Sequence, residues 1–137
     1  MNKPLFTNIA MITQKKEKVQ AFLEKPKSIL KWDSDISLLE EQAEGLRISR
    51  VHQSLNDKEV ITIKSDNDKV TYHIKGDRLD YEVMFELVEE DGLLEVSETL
   101  LLPEKTNSHL PLKLLKPIAK HAFASNLENL AAIAEQL

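Results

Sequence analysis

The chain contains no cysteine, which removes disulfides, thiol nucleophiles, cysteine-bound zinc and iron–sulfur clusters together. Glycine is scarce, with three residues in 137 and no phosphate-cradling run among them. Aromatic residues make up only 5%, with a single tryptophan. No apolar run approaches the ~20 residues that span a bilayer, and the opening MNKPLFTNIAMITQKK has neither a long apolar stretch nor a small-residue cleavage site. A cytoplasmic location is therefore expected. Excess positive charge is missing too: the net charge is −5, whereas nucleic-acid binding needs a clustered basic surface, so no nucleic-acid partner is expected. Neither G-x-S-x-G nor H-E-x-x-H occurs. The four histidines show no paired metal spacing. The acidic clusters Asp33-Ser34-Asp35 and Asp66-Asn67-Asp68 lack a calcium loop's spacing and terminal glutamate. Both clusters read as turns, and no metal or cofactor is expected. What is present, 42% hydrophobic and 30% charged residues, is ordinary for a folded chain, and the length suits a single domain over residues 1–137.

The hydrophobic pattern begins with a two-residue period. Over 5–13, Leu5, Ile9 and Met11 fall on one side and Phe6, Ala10 and Ile12 on the other, which predicts a strand covered on both faces. Over 14–24 the period lengthens: Val19, Phe22 and Leu23 take helical spacing, and Pro26 stops the run. Pro26 also suits the first turn of a second short helix that reaches Trp32. Turn signals then recur at Glu44-Gly45, Asn56-Asp57, Asp66-Asn67-Asp68, Gly76-Asp77 and Asp91-Gly92. They divide the stretch into six strands near 36–43, 46–55, 59–65, 69–75, 79–89 and 93–102. Connections this short carry no crossover, so consecutive strands pair antiparallel. The alternation is clearest where Leu79, Tyr81, Val83, Phe85 and Leu87 oppose Asp80, Glu82 and Glu86, one face buried and one wet. Finally, residues 110–137 place Leu112, Leu115, Ala119, Ala122, Phe123, Asn126, Leu127, Leu130, Ile133 and Leu137 along one helical stripe. Pro117 predicts a kink or a later helix start.

The expected fold class is α+β: a seven-stranded curved antiparallel sheet, two short helices after the first strand, and a long C-terminal helix gripped by the sheet. Two local stretches accompany that order, Lys31-Trp32-Asp33 after the second short helix and Phe123-Ala124-Ser125-Asn126-Leu127-Glu128-Asn129-Leu130 near the end. Together they resemble the helix-grip fold of the START-like superfamily, also called SRPBCC. That superfamily includes the major birch pollen allergen, START lipid-transfer domains and bacterial polyketide cyclase/dehydrase-like proteins. The resemblance covers essentially the whole chain. It implies a cavity between sheet and long helix that holds lipids, sterols, polyketides or quinones, sometimes with chemistry on them, and it transfers no catalytic residue.

If Leu46 and Ile48 point into that cavity, strand alternation sends Arg50 and His52 inward as well. Glu98 shares a face with Leu94, Val96, Leu100 and Leu102, while Tyr72 and Tyr81 lie on the apolar faces of their strands. Arg50, His52, Tyr72, Tyr81 and Glu98 are thus the candidate polar groups that orient a ligand. A bulge that reverses the parity and a purely structural Arg–Glu pair are the competing readings. His52 and Glu98 are also the catalytic candidates, as general base and orienting carboxylate. The rest of the expected lining is Leu46, Ile48, Ile61, Ile63, Val83, Phe85, Val96, Phe123, Asn126 and Leu130, with Trp32 near the mouth. His73 alternates outward and His121 flanks the helical stripe. Lys113, Lys116 and Lys120 interleave with leucines over 110–120, a pattern that suits transient contact with an anionic membrane and equally the start of a core-facing helix.

The expected function is binding of an apolar or amphipathic small molecule, lipid-, polyketide- or quinone-like. With no catalytic motif in view, binding stands ahead of the alternative, a cyclase or dehydratase using the same cavity. A third reading is a protein-interaction module whose core is filled.

Overall fold

A computed structural model describes residues 2–43, 45–51, 55–104 and 110–137. The chain opens with β1 (Lys3–Ile12) and α1 (Lys16–Glu24), followed by a 3-10 turn (Pro26–Ser28) and α2 (Ile29–Trp32). The meander follows as β2 (Ile36–Gln42), β3 (Gly45–Arg50), β4 (Lys58–Asp66), β5 (Lys69–Gly76), β6 (Tyr81–Glu90) and β7 (Leu93–Leu102), and α3 (Leu112–Ala134) closes the chain. All seven strands form one sheet in the order β1-β7-β6-β5-β4-β3-β2, and every neighbouring pair is antiparallel. This is the expected fold class, with β1 added beside β7 at one edge.

Local chemistry accounts for the hairpins. Between β6 and β7 the turn is Asp91-Gly92, with φ of 53° and 81°. Positive φ at both central positions matches the twist of the flanking strands, and glycine and aspartate tolerate it. Along β5, β6 and β7 the alternation buries Val70, Tyr72 and Ile74, then Tyr81, Val83, Phe85 and Leu87, then Leu94, Val96, Glu98, Leu100 and Leu102. The α1 side chains Val19, Phe22 and Leu23 are buried where that helix packs on β4, β5 and β6. Helix α3 packs chiefly on β1 and against α2, burying Leu127, Leu130 and Ala134.

Three sequence expectations need correction. First, β1 is covered on one face only: Phe6 and Ile12 are buried, whereas Ile9 and Met11 are 59% and 55% exposed. The helices pack on the side that carries Phe6 and Ile12, so the other row faces outward. Second, β3 ends at Arg50 rather than near residue 55. Beyond it, the Val51 N–H donates to the Asp35 carbonyl at 3.0 Å, and residues 52–54 lie outside the described residues. Third, α3 starts at Leu112 and runs through Pro117 with no later start. The Leu114 and Leu115 N–H groups both donate to the Pro111 carbonyl at 3.0 Å, and the Pro117 ring lies at an exposed position near the helix start. At the other end, Leu137 falls beyond the helix and is 42% exposed rather than part of the stripe.

A candidate ligand-binding cavity

A cavity of about 330 Å³ lies between the sheet and the first half of α3, near the lower end of the ~300–1,000 Å³ usual for small-molecule pockets. Its floor is Tyr72 and Ile74 of β5, Tyr81, Val83 and Phe85 of β6, and Glu98 of β7. Leu115, Ile118, Ala119, Ala122, Phe123, Ser125 and Asn126 form the helix side. Ile29 and Trp32 of α2, the link Asp33-Ser34-Asp35, Arg50 and Leu55 complete the wall. The void exists because α3 is not evenly seated. Beyond Phe123 it buries Leu127, Leu130 and Ala134, whereas its first half presents alanines and half-buried side chains.

Aromatic rings are rare in this chain, and all but Phe22 gather here. Trp32, Tyr72 and Phe85 contact one another at centroid distances of 5.5–6.1 Å. Phe123 is held edge-on by Phe6 at 5.4 Å and by Tyr81 at 6.4 Å. Such pairs hold their rings in fixed orientations and add roughly 0.5–1.5 kcal/mol each beyond area burial.

One wall of the cavity is polar. Arg50 donates from Nε to Glu59 at 2.8 Å and from a terminal nitrogen to Asp33 at 3.0 Å, with Asp35 at 3.7 Å. The Glu59 carboxylate also accepts from Asn56 Nδ2 at 3.0 Å and from the Tyr81 hydroxyl at 2.6 Å. Burial raises the Tyr81 hydroxyl pKa well above the tyrosine range, and the neighbouring Glu59 adds to it, so the group stays a donor. Tyr72 donates to the Leu23 carbonyl at 2.7 Å, and burial raises its pKa too. Asn126 donates to Asp33 at 3.3 Å and accepts from the Ser34 N–H at 3.4 Å, which ties α3 to the link after α2.

Glu98 stands apart from this network. It is 1% exposed, and among the described residues its carboxyl meets only Asn8 Nδ2, at 3.4 Å. Burial pushes its pKa up to about 8, weakly opposed by Asn8 and reinforced by the charge of Asp33. Between the ordinary value of 4.5 and about 8 the folded protein holds a proton that the unfolded chain has released. Stability therefore falls as pH rises across that window and levels off above it. Glu98→Gln is expected to flatten that slope, as read by denaturant unfolding at a series of pH values. An unchanged slope in the variant would assign it to another group.

No protein-family model and no curated protein matches this sequence. Solved structures do. A START superfamily protein from Mycobacterium smegmatis aligns with 96% of this chain and 97% of its own, at a TM-score of 0.70 and 15% identity. The fold is START-like. A conserved protein from Geobacillus kaustophilus covers 95% of this chain and 94% of its own, with a TM-score of 0.73 and 11% identity. The Aha1 dimer from Colwellia psychrerythraea covers 98% and 96%, with a TM-score of 0.63 and 19% identity. At such identities the likeness is one of fold, so the chemistry of the site is read from its own side chains.

Within the cavity of this START-like fold the structure brings together Trp32, Arg50, Tyr72, Tyr81, Val83, Phe85, Glu98, Phe123 and Asn126 from the sequence-derived set. Leu46, Ile48, Ile61, Val96 and Leu130 are instead buried in the filled part of the core, and Ile63 is half-buried and packs against it. None of these six borders the cavity. Helix α1 occupies the space over β4, and the tightly seated half of α3 leaves none around Leu130. His52 lies outside the described residues, as does His109. His73 faces outward and pairs with Glu82 at 2.6 Å, and His121 is exposed. The sequence pattern does not single out Asp33 and Asp35, which read as turn residues. Glu59 and Asn56, both buried at the polar wall, are likewise absent from the sequence-derived set. Glu59 shares its face of β4 with the buried Ile61, and that common parity was the available signal for that glutamate.

Proposed function

We propose that the protein binds an apolar or amphipathic small molecule in the cavity beneath α3. The observation that carries this reading is the cavity itself: an aromatic- and aliphatic-walled space with one polar side, left open by the first half of the helix. A filled interior would have favoured an interaction module. Affinity would come mainly from apolar burial, at ~25 cal/mol per Å² before ordering costs. The test is uptake of dimethylaminonaphthalene, a fluorescent probe with an apolar body. Wild type is expected to bind it in one-to-one ratio. Ala122→Trp, placed at an exposed position on the cavity wall, is expected to weaken binding at least about tenfold with an unchanged circular dichroism spectrum. Equal binding by the two proteins would remove the cavity as the site. Native mass spectrometry of the purified protein, followed by solvent extraction, identifies any ligand already held.

A membrane-facing mouth is the second part of the reading. Leu114 and Ile118 are 72% and 52% exposed, Ile118 borders the cavity, and Lys113 and Lys116 are exposed beside them. Exposed leucine and isoleucine among lysines suit the surface of an anionic bilayer. Co-sedimentation with phosphatidylserine-containing vesicles at low salt is expected for wild type and lost in Leu114→Glu. If wild type stays in the supernatant, the membrane contact is discarded and the ligand reading is untouched. No helix among the described residues is long and apolar enough to cross a membrane.

A further inference from the structure

We propose that the cavity selects an uncharged ligand whose apolar body carries a carbonyl oxygen, and that the Glu98 carboxyl group donates a hydrogen bond to that oxygen. This rests on the ligand-binding reading above and narrows it to a chemical class.

Most polar groups around the cavity are already committed. Tyr72 gives its hydroxyl hydrogen to the Leu23 carbonyl, and Tyr81 gives its own to Glu59. Arg50 is shared between Glu59 and Asp33, with Asp35 at 3.7 Å. Among the described residues Glu98 has no comparable partner. It sits mid-strand in β7, opposite Phe85 on β6 and Asn8 on β1, and borders the cavity. Its contact with Asn8, at 3.4 Å, lies at the long limit of hydrogen bonding.

The charges around it are mostly of one sign. Asp33 and Asp35 line the same space, and among the described residues Arg50 is the single basic side chain on that lining. Helix α3 supplies Ser125 and Asn126 but no ionisable group to the wall. Its Lys120 turns to the Thr7 carbonyl at 2.9 Å. A ligand carboxylate would therefore enter beside the Asp33 and Asp35 carboxylates, with one guanidinium already matched to its own carboxylates. An uncharged ligand avoids that repulsion. Burial and the Asp33 charge keep Glu98 protonated near neutral pH, so the group offers an O–H and seeks an acceptor. A ligand carbonyl satisfies it, and the aromatic floor takes the apolar body.

Three probes on one body test this: dimethylaminonaphthalene, its acetyl derivative and its carboxylate derivative. Wild type is expected to bind the acetyl probe at least about fivefold more tightly than the parent at pH about 6, and the carboxylate most weakly. The acetyl preference is expected to fade as pH rises to about 10, because an ionised Glu98 no longer donates. Glu98→Gln keeps an N–H donor at every pH and should retain the preference with a flat profile, while Glu98→Leu should bind parent and acetyl probes alike. Equal, pH-independent binding of parent and acetyl probes by wild type overturns the proposal and leaves the cavity reading intact. Preference for the carboxylate, or affinity for the acetyl probe that rises with pH, also overturns it. Failure of all three probes to bind overturns both readings.

Discussion

Replacing Arg50 by methionine is expected to lower the unfolding free energy by about 3–5 kcal/mol, the usual cost of stranding a buried charge by removing its partner. The side chains concerned are deeply placed: Arg50 is 9% exposed, Asp33 6% and Glu59 0%. Methionine keeps the apolar bulk and removes the charge. Asp33 on the cavity wall and the buried Glu59 are then left without their guanidinium, and among the described residues Glu59 retains only its Asn56 and Tyr81 donors. Urea unfolding followed by circular dichroism measures the loss. Adding Asp33→Asn and Glu59→Gln to the methionine variant is expected to recover much of it, because neutral amides need no counter-charge. A loss below ~1 kcal/mol in the single variant would mean that the carboxylates are hydrated through the cavity, and the network would no longer count as a structural anchor.

Gly76→Ala is expected to cost about 2–6 kcal/mol through Asn56, a residue distant in sequence that packs against it. A Cβ on Gly76 would fall on the side-chain amide of Asn56. That amide is fully buried and makes at least four hydrogen bonds: Nδ2 donates to Glu59 at 3.0 Å and to the Leu79 carbonyl at 2.8 Å, and Oδ1 accepts from the Arg78 and Leu79 N–H groups at 2.9 and 2.8 Å. The figure follows from roughly 0.5–1.5 kcal/mol for each bond lost when the amide is displaced. The decisive comparison is a double-mutant cycle. Asn56→Ala alone should be similarly costly, yet in that background Gly76→Ala should add little, since the side chain it would strike is gone. Additive losses would place the glycine's role in backbone conformation instead.

Much of this architecture was legible because strand periodicity and turn chemistry are local signals. Tyr81, Val83 and Phe85 lie on one face by alternation alone, and Asp91-Gly92 announced its hairpin. Parity carried Arg50 and Glu98 to the inner face correctly. The polar wall was harder to read because its partners are distant. Asp33 lies 17 residues from Arg50, and its own neighbourhood is indistinguishable from a side-chain-capped turn, which it also forms by accepting the Asp35 N–H at 3.1 Å. Nor does periodicity say which part of an inner face is void. Leu46, Ile48 and Ile61 have the same alternation as Val83 and Phe85, and only the placement of α1 and the uneven seating of α3 separate filled core from cavity.

The place of β1 also bears on how the molecule assembles. Hairpins from β2 to β7 can form between neighbours, but β1 has a single strand partner, β7, and pairs Lys3 with Leu102 across nearly the whole meander. Closing so large a loop costs chain entropy before any ladder bond returns it, and contacts of such sequence separation slow folding. Helix α3 packs chiefly on β1. The roof of the cavity therefore has its main support only after this longest-range pairing is made, and a chain arrested before that step would have a meander but no enclosed site.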